Sequence, residues 1–199
     1  MTGRTVEHLM TDVAFALEHG LDARDLVPML QTLANRAEPG SEASRFARLH
    51  LARHMLRSSP FRAARLSYSV TVEEPQNDEA WGLYGLSLTV LGHFRAAKRA
   101  LFQATTLAPR HPGHAHNLGH LLDVGFNRPK SALPWLERAF NLAKDVPSIA
   151  CSYAHALCRT GRGKNAFDVL RRYGSMDAES ASMTLEQWSQ NSPKSTGPR

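Results

Sequence analysis

Two rows of side chains have the types and spacing to do chemistry. His116, His120 and Asp123 stand at i, i+4 and i+7, and Cys151, His155 and Cys158 repeat that spacing later in the chain. On a helix each row falls on one face, because residues three and four apart are neighbours. Imidazole, thiolate and carboxylate ligands so placed suit Zn2+ or another borderline-soft divalent ion. His111 and His114 lie just outside the first row. Against a metal centre stand the missing CxxC and HExxH spacings and the abundance of histidine: of ten in all, His8, His19, His50, His54 and His93 have no such partners. A free cysteine is also commonly just a small buried hydrophobe. Catalysis has less support. The chain has no Gly-rich phosphate loop, no GxSxG elbow and no carboxylate pair on a common face. Cys151 with His155 is a nucleophile and base without an oxyanion hole, and it lacks an orienting third group unless Asp123 supplies one. The expectation is a non-enzyme without a cofactor, Zn2+ being the alternative.

Composition bounds what can position these rows. At 199 residues with 42% hydrophobic, the chain can bury one compact core or a short repeat array. Its longest run without Asp, Glu, Lys or Arg is the fifteen residues from Ala80 to Phe94, too short and too polar for a membrane span. Glu7 and Asp12 interrupt any apolar leader, which gives a cytoplasmic expectation. Cys151 and Cys158, seven apart on a helix, sit about 10 Å from each other and cannot form a disulfide there. The net charge of +6 is concentrated: Arg45, Arg48, Arg53, Arg57, Arg62 and Arg65 fall between Ser44 and Val70 with no acid among them. Such a stretch attracts anionic groups, or simply covers apolar surface with arginine stems while the heads face water. Phe46, Phe61 and Tyr68 are too isolated for a single-strand stacking platform, so nucleic acid is disfavoured as a partner.

The chain has a period. Ala63, Ala97, Ala132 and Ala166 are spaced by 34, 35 and 34 residues, and Leu51, Gly85, Gly119 and Ala154 by 34, 34 and 35. Both series place one inserted residue between Gly119 and Ala132, an interval that holds the turn Asn127, Arg128, Pro129. Each period reads as two helices. Trp81, Tyr84, Gly85, Leu88 and Leu91 recur at helical spacing, Gly92 breaks the pattern, and Phe94, Ala97, Leu101, Ala104 and Leu107 resume it until Pro109. Pro60, Pro112, Pro129 and Pro147 mark helix starts, and Gly92 and Gly161 mark turns. Tyr68 to Val72 has β-branched content that would suit a strand, but the register requires a helix.

Trp81–x2–Tyr84–Gly85, with Ala97, Leu101, Ala104 and Pro109, resembles the tetratricopeptide repeat, a 34-residue helix–turn–helix. The resemblance covers four units, about 44–77, 78–111, 112–146 and 147–174, within a repeat region of 41–174. Its structural positions are Gly85, Ala97, Ala104, Pro109, Gly119, Ala132, Ala139, Ala154 and Ala166. Leu51 departs from the small-residue column and Lys144 from the proline column. The resemblance implies an all-α, right-handed solenoid of helical hairpins. Residues 1–40 read as an N-terminal helical cap, with helices at Thr5 to His19 (Val6, Leu9, Met10, Val13, Phe15, Leu17) and Asp22 to Ala37 (Leu26, Val27, Leu30, Leu33). Residues 175–190 read as a possible C-terminal capping helix, and 191–199 as a disordered tail.

The resemblance further implies that the first helix of each unit lines a concave groove that binds a protein or peptide. Arg45, Arg48, His116, Asn117, His120, His155 and Arg159 are the expected groove residues. Adjacent first helices would also bring the rows His116, His120, Asp123 and Cys151, His155, Cys158 together as potential metal ligands. A chaperone-type clamp on a terminal carboxylate is not supported, because Ala52, Leu83 and Gly113 stand at its polar positions. Cationic Arg45 and Arg48 facing an acidic peptide group keep its general logic. An adaptor role follows, with bacterial secretion chaperones similar in size and helix order.

Overall fold

The computed structural model describes residues 5–191. The disordered tail expected at 191–199 lies outside these residues, apart from the helix-terminal Asn191. The chain forms two compact units, the first through Leu107 and the second from Ala108. Among the described residues every regular element is helical, and no helix is long and apolar enough to cross a membrane.

The first unit contains α1 (Val6–Glu18), α2 (Ala23–Arg36), α3 (Glu42–Met55), α4 (Pro60–Glu73), α5 (Asp78–Val90) and α6 (Phe94–Leu107), each packed against the next within its hairpin. Four of these helices start on a side-chain cap: Thr5, Asp22, Ser41 and Asn77 each accept from a backbone N–H of the first turn. α4 starts instead with Pro60 at its first position. The segment from Tyr68 to Val72 is helical, as the register required, because Val70 and Thr71 gain more from burial than their stiff rotamers cost.

Helices α1 and α2 lie within the stretches read as helical, but the buried face of α1 differs from the expectation. Phe15 is 59% exposed and Ala16 is buried in its place, since Leu9, Val13 and Ala16 share a face at i, i+4 and i+7. Phe15 stacks instead on His19, with ring centroids 3.9 Å apart. In α3 the large Leu51 of the small-residue column is buried, and the neighbouring His50 keeps a buried Nδ1 with no hydrogen-bond partner among the described residues. Its ring lies 4.4 Å from that of Phe46, and burial lowers its pKa.

The second unit contains α7 (Pro112–His120), a π-helical turn (Leu121–Gly125), α8 (Pro129–Leu142), α9 (Pro147–Arg159), α10 (Gly163–Tyr173) and α11 (Ala178–Asn191). Proline occupies the start of α7, α8 and α9. Phe140 ties this unit together, stacked 5.2 Å from Tyr153 and edge-on 5.0 Å from Tyr173. α11 packs on α9 and α10.

The same close contact sets the geometry of a hairpin in each unit. A Cβ added at Gly85 would lie 2.6 Å from Leu101 Cγ, and one at Gly119 would lie 2.6 Å from Leu136 Cγ. Ala97, Leu101 and Ala104 in α6, and Ala132, Leu136 and Ala139 in α8, are fully buried on the facing helices. Glycine is required here because the backbones approach too closely for a side chain. Gly85→Leu should therefore wedge α5 from α6 and cost about 1–3 kcal/mol through overpacking. Gly163→Ala, where an added Cβ meets nothing within 4 Å, should leave the urea midpoint unchanged or slightly raised.

Candidate functional site

The repeat register locates the inserted residue. Leu88, Leu122 and Leu157 are spaced by 34 and 35, whereas the turn residues Gly92, Asn127 and Gly161 are spaced by 35 and 34. The extra residue therefore lies after Leu122 and before Asn127, inside the first helix rather than in the turn that follows it. The helix absorbs it by widening into the π turn, with Phe126 N–H donating to Leu121 O at 3.0 Å. The turn keeps its role. Arg128 N–H reaches Leu122 O at 2.8 Å, as His93 N–H reaches Leu88 O and Arg162 N–H reaches Leu157 O at 2.9 Å. Asn127, at φ 54°, takes the left-handed place of Gly92 and Gly161.

This turn buries Asp123, whose residue is 1% exposed. A lone buried carboxylate is costly, and two side chains from α9 meet it. Arg159 Nη1 donates to Asp123 Oδ1 at 2.7 Å and to its backbone oxygen at 2.8 Å, while the other guanidinium nitrogen donates to Asn127 Oδ1. His155 Nδ1–H donates to Asp123 Oδ2 at 2.5 Å. Trp188 of α11 places its ring edge-on to His155 at 4.9 Å, so the capping helix completes the cluster. Arg159 was expected to be a groove cation, but it serves inside the unit, holding the π turn against α9.

The remaining members of the two rows sit in separate contacts. His116 Nε2 is 2.9 Å from Ser152 Oγ, and the His116 and His120 rings are 6.0 Å apart. Cys158 Sγ is 3.7 Å from Ser189 Oγ of α11. Among the described residues no three His, Cys, Asp or Glu side chains are grouped so as to hold a metal ion. The expected convergence of His116, His120, Asp123, Cys151, His155 and Cys158 is thus not what the fold builds: Arg159 supplies the cation next to Asp123, and α11 takes up Cys158. Asp123 does orient His155, but burial raises the Cys151 thiol pKa, the opposite of an activated nucleophile.

Desolvation is the main influence on the histidines of this face, where His116 is half-buried and His120 exposed. Desolvation lowers His116 to about 4, with a smaller push from His120. His120 is also lowered, mainly by desolvation, with Asp123 opposing the shift. Both shifts favour the neutral imidazole at pH 7. Asn117 lies half-buried between them on α7.

In the first unit the other two expected groove cations are engaged. Arg48 makes a two-pronged pair with Glu73 at 2.8 and 2.5 Å and also bonds Ser69, while Arg45 Nε lies 2.6 Å from Glu74. Their charge is met within the unit by acids just beyond the acid-free stretch. Sequence reasoning did not single out Ser152, Asn127 or Trp188 as partners. The one available signal was the insertion itself, which lies beside an acid one period before Arg159.

No family model and no curated protein sequence matches the chain. Solved structures do. A thermophilic tetratricopeptide-repeat protein of Thermus thermophilus aligns with 92% of this chain and 98% of its own, at TM-score 0.67 and 16% identity. The fold is that of the tetratricopeptide repeat. PilF of Pseudomonas aeruginosa shares it over 92% of this chain and 83% of its own, at TM-score 0.71 and 20% identity. MamA from Desulfovibrio magneticus does so over 96% and 100%, at TM-score 0.67 and 16% identity. The chain's successive hairpins α3/α4, α5/α6, α7/α8 and α9/α10 fall within the stretches that the repeat spacing marks out.

Two outcomes follow from the cluster and the half-buried His116. Asp123→Ala leaves the largely covered Arg159 without its counter-ion and should cost about 3 kcal/mol, read by urea denaturation. A folded-state pKa of about 4 for His116, against 6.5 unfolded, means the unfolded chain binds the extra proton between those values. Stability contributed at pH 7 is therefore lost as pH falls from 6.5 towards 4. The drop in urea midpoint between pH 7 and pH 4.5 should be smaller in His116→Gln than in the parent chain.

Proposed function

We propose that the chain is a non-enzymatic protein-interaction scaffold, an adaptor or chaperone, that holds a peptide or protein segment against the face formed by α7 and α9. The observation that carries this reading is the neutrality of that face. Desolvation favours the neutral imidazole at His116 and His120 and the protonated thiol at Cys151, and Arg159 is already matched to Asp123. Such a surface offers hydrogen bonds without a net field, which suits the backbone amides and uncharged side chains of an extended segment. The helices beneath it are fixed by the contact of Gly119 with Leu136 and by the Asp123 cluster, so the scaffold loses little entropy when a guest is ordered. Both cysteines are free, in keeping with work in a reducing compartment such as the cytoplasm.

Selection of a random displayed peptide library on the whole chain tests the reading. Enriched peptides should be rich in uncharged polar residues and should bind His116→Ala/His120→Ala at least about tenfold more weakly than the parent. Peptides that bind both proteins equally would show that this face is not the binding surface.

A further inference from the structure

The arginine-rich stretch divides by helix. On α3, Arg45, Arg48 and Arg53 pair with Glu74, Glu73 and Glu79. On α4, Arg62 and Arg65 are exposed and make no ion pair or hydrogen bond with any described residue, and the same holds for Arg95, Lys98 and Arg99 on α6. Nothing nearby in sequence neutralises them. No acid lies between Glu42 and Glu73, and none between Glu79 and Asp123. The acids of the intervening turn are largely spent on α3.

Bulky apolar side chains stand exposed among these cations. Phe61 is 69% exposed, Val72 62% and Tyr68 49%. At i, i+7 and i+11 they share one narrow stripe of α4, and Arg65 at i+4 lies within it. Tyr68 is steadied by Tyr84, with centroids 5.1 Å apart. The pattern continues one period on: Arg99 follows Arg65 and Phe102 follows Tyr68, both by 34 residues, and Phe102 is 52% exposed. Equivalent positions of two successive hairpins therefore carry the same aromatic and basic pair.

We infer that the outer faces of α4 and α6 bind an anionic lipid surface, with Phe61 and its neighbours entering the interface and the unpaired cations meeting headgroup phosphates. Charge complementarity requires an anionic occupant. An exposed helix face is a convex ridge, which suits a soft surface that closes around it better than a segment that needs a groove. Exposed aliphatic and aromatic side chains among cations gain from entering the headgroup boundary, whereas Val72 offers a nucleic acid no stacking surface. The inference concerns the first unit and does not depend on the binding face of the second.

Sedimentation with vesicles tests it, using the whole chain with phosphatidylcholine alone and with about a third phosphatidylglycerol. Binding is expected only with the anionic vesicles and should weaken as salt rises. Arg62→Gln/Arg65→Gln should bind roughly thirtyfold more weakly, at about five- to sixfold per surface cation. Lys164→Gln/Arg172→Gln, which removes the same charge from exposed sites of the second unit, should stay within about twofold of the parent. Phe61→Ser, a change at an exposed position, should also weaken binding. Equal losses in the two double variants would reduce the effect to net charge and overturn the inference. So would Phe61→Ser binding as well as the parent, or an oligonucleotide competing away the vesicles with no dependence on Phe61.

Discussion

The closeness of paired helices is the constraint on which the rest depends. Where Gly85 meets Leu101 and Gly119 meets Leu136, the facing backbones leave no room for a Cβ, so each hairpin has one permitted register and spacing. Fully buried alanine and leucine columns on the second helices fill what remains. Interiors packed at this density respond to a changed volume by deforming elsewhere. The locked register explains why one additional residue in the third unit is pushed into the far end of its first helix, beyond the glycine contact, where a π turn can take it up.

That deformation has a chemical consequence. Widening the helix at Leu121–Gly125 turns Asp123 into the interior. A buried carboxylate persists only if it is paired, and α9 supplies Arg159 and His155 at 2.7 and 2.5 Å. Arg159 also reaches the backbone oxygen of Asp123 and the side chain of Asn127, so one guanidinium closes both the charge and the loosened turn. The cluster consumes the charged members of the face and leaves His116, His120 and Asn117 as its outward polar groups. A packing adjustment thus produces the uncharged character on which the proposed recognition of an extended segment rests.

The first unit treats charge in the opposite way. Its first-helix arginines are matched by Glu73, Glu74 and Glu79, while the cations of α4 and α6 face solvent unmatched beside exposed aromatic side chains. Ion pairs at such surfaces add little to stability, so leaving these cations unpaired costs the fold little. The two units therefore offer different surfaces: a neutral hydrogen-bonding face in one and a basic, aromatic ridge in the other.

The sequence alone was enough to determine the helical hairpins, their period and their ends. Periodicity, proline at Pro60, Pro112, Pro129 and Pro147, and glycine at Gly92 and Gly161 are local signals, and local backbone sterics enforce them. The small-residue columns and the interval of the insertion were legible for the same reason, because a repeat compares each position with its equivalents. Only the tertiary structure decided the fate of the individual polar groups. Arg45, Arg48 and Arg159 look like free cations in the sequence, and Asp123, His155 and Cys158 look like neighbours in a ligand set. Their partners lie 25 or more residues away, across helix pairs whose rotation depends on packing: Glu73 for Arg48, Arg159 for Asp123, Ser189 for Cys158. Whether a charge is spent inside the fold or left for a partner depends on distances of a few ångströms between helices, and sequence spacing does not carry that information.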